Sequence, residues 1–406
     1  MTPRPRSVLV LAPLVATLAL TGCVRNGDAA DGSGTIEVTS SADACAVATD
    51  TAASGTVAFD VQNTGDAVTE FYVLADDGLR IVGEVENIAP GASRTLTLQA
   101  QPGEYFTVCK PGMVGEGVGR TAFTVTGDEV AAVGDQEALD EAVANYTAYT
   151  KTQVAELVTK VGAFTDAYVA GDDDEARRLF PLTRIGYERI EPTAEQFGDL
   201  DPRIDFRKPG AEAEGIEFTG FHRIEMDLWI DEARRNYPDE DLAPLDDAGR
   251  TRIADQLVAD VQALYDQVHG DDFVLTVDDV TNGAIGLLDE VAAPDGKLPG
   301  EEDEFSHTDL YDFYANVEGA EVAYENVRDI AADRGAEGEE LVAALDEQFA
   351  SMKELLGTYG DYTEGFVSYD TVDQAARNEL GARLNALSEP LSRLTYTVLG
   401  VDQPDA

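Results

Sequence analysis

Residues 121–161 read TAFTVTGDEVAAVGDQEALDEAVANYTAYTKTQVAELVTKV, and the chain changes character inside this stretch. Up to Gly127 apolar and polar residues alternate between frequent turn signals. From about Gln136 the Gly and Pro punctuation thins. Ala138, Leu139, Ala142 and Val143, then Tyr146, Tyr149, Val154, Leu157, Val158 and Val161, recur at helical spacing, which places one apolar stripe on a helix face.

Working toward the N-terminus, Thr35-Ile36-Glu37-Val38-Thr39, Thr56-Val57-Ala58-Phe59-Asp60-Val61 and Arg94-Thr95-Leu96-Thr97-Leu98 alternate as strands do. Asn63-Thr64-Gly65-Asp66, Asp76-Asp77-Gly78, Pro90-Gly91 and Pro102-Gly103 separate the runs. This pattern predicts a β-sandwich of about seven strands over residues 35–127. Residues 128–147 read as a linker and the start of the first helix. Toward the C-terminus, helical stripes over 173–198, 216–233, 248–269, 308–333, 338–358 and 371–397 predict an all-α bundle over 148–404. Ser306 and Thr371 are read as residues that open helices. Residues 283–300, richer in Gly, Pro and Asp, are read as a loop leading into the acidic run Glu301-Glu302-Asp303-Glu304. The expected fold class is a multidomain β + α chain.

The chain has 406 residues, 44 % of them hydrophobic, so it can bury a sizeable core. Against 79 acidic residues there are only 28 Lys and Arg, a formal net charge of −51. Phosphate backbones need clustered cations, so nucleic acid is excluded as a natural partner. Anionic lipid surfaces are disfavoured for the same reason.

Arg4 and Arg6 precede an apolar run over residues 7–20, SVLVLAPLVATLAL. It is too short to span a bilayer, which takes about 20 residues, but suits a signal-peptide core. The run ends in Leu20-Thr21-Gly22-Cys23, which resembles the lipobox of bacterial lipoproteins. Read so, residues 1–22 are a signal peptide, Cys23 is lipidated, and 23–34 form a flexible stem. An ordinary signal peptide with a chance cysteine is the alternative. The lipobox reading puts the protein outside the cytoplasmic membrane, touching it only through the anchor. Two further cysteines, Cys45 and Cys109, suit a disulfide in an oxidising compartment or a pair of thiolates on a metal ion.

Three histidines stand in the chain: His222, His269 and His307. His222 and Glu225, three apart in Gly220-Phe221-His222-Arg223-Ile224-Glu225-Met226, project from one helix face and suit a divalent cation. Asp309 and Asp312 pair in the same way, as do Glu188 and Glu191. Singly, each of these carboxylates suits a solvated or salt-bridged surface role better, in a chain with 79 acids. No HExxH, HxxEH, GxSxG, P-loop or dinucleotide fingerprint is present, and the one ExxH is Glu304-Phe305-Ser306-His307. A di-iron carboxylate bundle takes two such motifs.

Longer segments carry a family resemblance: Glu86-Asn87-Ile88-Ala89-Pro90-Gly91, Gln101-Pro102-Gly103-Glu104-Tyr105, Tyr187-Glu188-Arg189-Ile190-Glu191-Pro192, Phe218-Thr219-Gly220-Phe221-His222-Arg223, Gly300-Glu301-Glu302-Asp303 and Ser306-His307-Thr308-Asp309-Leu310. In this order, after the lipobox, they resemble the EfeO-type family of bacterial iron-uptake components. That family joins a cupredoxin-like domain to an imelysin (HxxE, peptidase-like) domain. The resemblance implies an extracytoplasmic iron-binding protein working beside an iron permease and a dye-decolourising-type haem peroxidase. It carries the metal pair onto His222 and Glu225, with Glu188, Glu191 and Asp309 as further ligands. A second metal site would fall on Cys45 and Cys109, with Glu70 and Glu84 or Glu86. The β half has no histidine, so a blue-copper His2Cys site is excluded there.

Iron, as Fe2+ or Fe3+, is the expected cargo, with copper or zinc as alternatives. An enzyme is not expected, because no nucleophile or evident general base accompanies the HxxE pair. The competing readings are a metallopeptidase-like enzyme or ferroxidase on the same bundle, and a docking lipoprotein for a haem peroxidase.

Overall fold

A computed structural model describes residues 35–113, 116–128, 135–292 and 297–400. Cys23, the apolar leader and the stem lie outside the described residues. No described helix is long and apolar enough to cross a membrane.

Among the described residues, nine strands form the N-terminal half: β1 (Ile36–Ser40), β2 (Cys45–Val47), β3 (Thr51–Ala53), β4 (Gly55–Asn63), β5 (Thr69–Leu74), β6 (Ile81–Ile88), β7 (Ser93–Ala100), β8 (Gly103–Cys109) and β9 (Val118–Thr126). They make two sheets, ordered β2-β1-β4-β7 and β3-β9-β8-β5-β6. The pairs β1–β4 and β3–β9 are parallel. Alternation in β4 turns Val57, Phe59 and Val61 inward. The Phe59 ring meets Phe71 at 5.2 Å and Phe123 at 5.4 Å. Both partners come from the opposite sheet, so the three rings weld the sandwich.

The count exceeds the expected seven because β2 and β3 have three residues each, too few to register an alternation. Cys45 and Cys109 form a disulfide that ties β2 to β8, with Cα atoms 5.4 Å apart. Neither sulfur is a thiolate, so the sequence-based second metal site loses both of its sulfur ligands.

All six residues of β5 are buried. One face enters the sandwich. The other, through Tyr72 and Leu74, packs with Ile81, Val108 and Ala148 of the first helix. A strand covered on both faces cannot alternate.

The helical half comprises α1 (Asp135–Ala170), α2 (Asp173–Glu188), α3 (Leu200–Asp205), α4 (Lys208–Glu214), α5 (Gly220–Leu228), α6 (Ile230–Asn236), α7 (Asp247–Val268), α8 (Val277–Ala292), α9 (Asp309–Ala332), α10 (Ala336–Gly357), α11 (Gln374–Leu391) and α12 (Leu394–Leu399). A two-stranded hairpin, β10 (Gly360–Asp361) with β11 (Gly365–Phe366), interrupts it. α1 runs unbroken through residue 147, where the sequence reading ended the linker. The cap residues of α9 and α11 are Thr308 and Asp373, two residues after the expected Ser306 and Thr371.

Helix α8 overturns the expected loop over the first part of 283–300. Gly283 suggests a break, yet its missing side chain is what lets the helix pack. A Cβ there would lie 2.2 Å from the carbonyl oxygen of Pro192. Val280, Ala284, Leu287, Leu288 and Val291 of this helix are buried.

Candidate metal centre

His222 and Glu225 lie on α5, and local geometry fixes where that helix begins. Gly220 has φ +76°, and a Cβ on it would sit 2.1 Å from the carbonyl oxygen of Ile204. The Thr219 hydroxyl donates to Arg203 O at 2.8 Å. The start of α5 is thereby clamped to the end of α3, which seats Asp205 beside His222.

His222 is 1 % exposed and Glu225 0 %. Glu225 Oε1 accepts from Phe305 N at 3.0 Å and from Ser306 N and Oγ at 2.8 Å each. Oε2 faces His222 Nδ1 at 3.0 Å. The loop that supplies these donors is bent by His307, a non-glycine residue with φ +58°. His307 N donates to Asp303 O, and Tyr369 N donates to His307 O. These two bonds hold Glu302 and Asp303 facing inward.

Two donor groups converge on His222: Asp205 with Glu302, and Glu225 with Asp303. Glu302 Oε1 lies 3.3 Å and Asp205 Oδ1 3.6 Å from His222 Nε2. Asp303 Oδ1 lies 3.9 Å from Nδ1. Beside them Arg184 of α2, fully buried, pairs with Glu188, Asp205, Glu302, Asp303 and Asp312. Lys297 Nζ holds Glu188 at 3.1 Å and Glu191 at 3.0 Å.

Burial pushes Asp205 up to about 7 and Asp303 up to about 6, the second helped by the charge of Glu225. Asp309 and Asp312 are pushed well above the usual carboxylate range by burial and by Asp303. Burial and Arg184 would lower His222, but its bonds to Glu225 and Glu302 and the charge of Asp205 raise it to about 10. Burial opposes ionisation of Glu302, yet Lys297 and His222 hold it well below the ordinary value. The acids of the cluster outnumber its basic groups, which are Arg184, Lys297, His222 and, at 3.6 Å from Glu302, Arg207, and burial disfavours the ionised form of several of them. A bound cation would favour those ionised forms. Asp303 Oδ1, Asp309 Oδ2 and Asp312 Oδ2 are buried and accept no hydrogen bond. One imidazole among carboxylates, with no sulfur, suits a hard or borderline cation such as iron.

The structure joins His222 and Glu225 as the spacing predicts. Glu188 and Glu191 lie one step away, on Lys297 and on Asn316, whose amide donates to Glu188 Oε2 at 3.0 Å and Glu191 Oε2 at 2.7 Å. Neither carboxylate is in a group with His222. Asp309 stands behind Asp303 and accepts from its backbone N at 3.3 Å. Sequence reasoning missed Asp205, Arg184 and Lys297. It quoted Glu302 and Asp303 within a matching segment but gave them no role. In the β half, Glu70 accepts from the Tyr72 hydroxyl, Glu84 is buried at Oε2, and the Glu86 side chain is outside the described residues. Among the described residues these form no cluster with a sulfur or imidazole ligand. His269 is spent on Tyr265, bonding its carbonyl at 2.9 Å and stacking on its ring. In the lone ExxH, Glu304 accepts from Tyr237 at 2.8 Å, while His307 faces Glu232 at 3.7 Å.

Fold and site together define a cupredoxin-like sandwich carrying an imelysin-type helical domain with a buried His–carboxylate centre. Two family patterns agree with this division into domains. The imelysin family pattern matches residues 142–394, and the cupredoxin-like domain pattern matches residues 11–118. The iron uptake system component EfeO of Escherichia coli (strain K12) is 37 % identical over 372 residues, 90 % of this chain and 92 % of that protein. The EfeO of Shigella flexneri matches to the same extent. An imelysin-like protein of known structure from Psychrobacter arcticum 273-4 aligns over 67 % of this chain and 98 % of its own, with 12 % identity and TM-score 0.46. The chain belongs to the EfeO family of iron uptake system components.

Proposed function

We propose that the chain captures iron outside the cytoplasmic membrane and passes it to a membrane permease of the same uptake system. Lipid on Cys23 would hold it there, and a haem peroxidase of the dye-decolourising type would work beside it. The observation that carries this reading is the convergence of Asp205, Glu225, Glu302 and Asp303 on His222. Relatives at 37 % identity bear the name of an iron uptake component, which supports iron over copper or zinc. With the cysteines bonded to each other, the donors are nitrogen and oxygen only. Oxygen-rich ligation favours Fe3+ over Fe2+ by charge, so oxidation after capture would tighten retention.

We read the centre as a binding site and not a peptidase site. A metallopeptidase needs an open coordination position that a polypeptide can reach. Here His222 and Glu225 are almost wholly covered.

The test is calorimetric titration of the purified chain with Fe2+ and Fe3+, against a His222→Ala/Glu225→Ala variant. Stoichiometric binding that the double variant loses is the expected result. Binding indifferent to both residues would overturn the assignment.

A further inference from the structure

We propose that Arg184 sets the affinity of the metal centre: its guanidinium holds the same carboxylate oxygens that a cation on His222 needs. The proposal rests on the metal-binding reading above and adds to it how such a site lets its cargo go.

The sharing is atom by atom. Asp205 Oδ1 faces Arg184 Nη1 and, at 3.6 Å, His222 Nε2. Glu302 Oε1 faces Arg184 Nη2 at 3.2 Å and His222 Nε2 at 3.3 Å. Asp303 Oδ1 faces Arg184 Nε at 3.8 Å and His222 Nδ1 at 3.9 Å. In both donor groups the oxygens beyond the HxxE pair therefore sit between the imidazole and the guanidinium. Glu225 differs. Its Oε1 is taken by Phe305 and Ser306, and its Oε2 is directed at His222.

Two cations drawn to one set of oxygens in a dry pocket repel strongly. A guanidinium cannot relieve this by losing its proton. It can only yield its carboxylates. The Arg184 side chain is not bound to acids alone, since its guanidinium also lies 5.5 Å from the Phe221 ring and 5.8 Å from the Phe180 ring. Those two rings offer it a seat when the oxygens turn to a metal. Loading is then an exchange of one cation for another. The loaded state is raised in energy by the displaced arginine, and the unloaded state is spared the repulsion of bare buried acids. Carboxylates and imidazole without Arg184 would bind more tightly and release more slowly, which is the wrong balance for a carrier.

The experiment uses the purified full chain, with Zn2+ as a redox-inert probe and Fe2+ under anaerobic conditions. Affinity is measured by calorimetry and release by transfer to a coloured chelator. Arg184→Gln keeps much of the shape and removes the charge. It should bind at least about tenfold more tightly and release correspondingly more slowly, while Arg184→Lys, which keeps the charge, tightens binding less than Arg184→Gln does. Unchanged or weaker binding in a folded Arg184→Gln variant overturns the proposal and leaves Arg184 a positioning residue. Binding that survives His222→Ala/Glu225→Ala sinks the metal-centre reading itself, and this proposal with it. Should Arg184→Gln fail to fold, wild-type chain labelled with 15N-arginine decides the matter. The Nε–H signal absent from Arg184→Lys must shift when Zn2+ saturates the site, and a signal that stays put overturns the exchange.

Discussion

Ser306 donates twice to Glu225 Oε1, from its backbone N and from its hydroxyl, each at 2.8 Å. The loop that carries Glu302 and Asp303 is thus fastened to the carboxylate of the HxxE pair. One contact fixes both the orientation of Glu225 and the position of its neighbours. Ser306→Ala removes the hydroxyl bond and leaves the backbone bond. Metal affinity should fall about tenfold, the usual effect of losing a bond that orients a metal ligand. Calorimetric titration checks this, and an unchanged Kd would show that the two backbone donors suffice.

The disulfide gives a prediction that separates structure from metal binding. Cys45 and Cys109 close a long loop between the two sheets, with 64 residues of separation. The double variant Cys45→Ser/Cys109→Ser should lose roughly 2–4 kcal/mol of stability. The number of metal ions bound should not change, because no sulfur serves the centre. Chemical denaturation and metal analysis on one preparation test both halves. Loss of an ion would restore the sulfur site that the structure removes.

Gly220 should tolerate no side chain. Its positive φ strains any other residue, and a Cβ would strike the carbonyl oxygen of Ile204. Gly220→Ala should cost about 3 kcal/mol. It should also weaken metal binding, since moving the start of α5 moves His222 away from Asp205. A variant with wild-type melting temperature and affinity would show that the clamp is not needed.

Glu325 on α9 predicts a pH dependence away from the centre. It stands among Asp76, Arg80, Glu321, Arg328, Asp329 and Asp346 where the two domains meet. Burial raises its carboxyl from the ordinary 4.5 to about 7, against the pull of Arg80 and Arg328 and with the charges of Asp346 and Glu321. The folded chain therefore holds this proton more tightly than the unfolded chain. The resulting stability is complete below about pH 4.5 and is lost as pH rises to about 7. Glu325→Gln removes the loss. Its melting temperature relative to wild type should climb between pH 4.5 and 7 and then level off. The gain should be roughly 1–2 kcal/mol after allowance for solvent near the group. A difference that stays flat over this range would refute the assignment.

Much of the architecture was legible in the residues because its signals are local. Phe59 and Val61 face inward by the period-two rule, and α1, α7, α9 and α10 follow apolar stripes. Where local rules misled, a tertiary contact had outvoted them. Gly283 looks like a helix breaker and is a packing surface against Pro192. The strand β5 lacks alternation because a second domain covers its outer face.

The site divides along the same line. His222 and Glu225 share a helix face by spacing alone, so the sequence by itself determined that pair, along with the two-domain plan. Only the tertiary structure decided which acids join them. Asp205 and Asp303 lie 17 and 81 positions from His222, and no periodicity links residues so far apart. Their convergence comes from the Gly220 clamp and the His307 turn. Arg184, 38 positions away, could not be read as part of the centre at all. A buried charge is recognised by the partners that pay for its desolvation, and those partners exist only once the helices have packed.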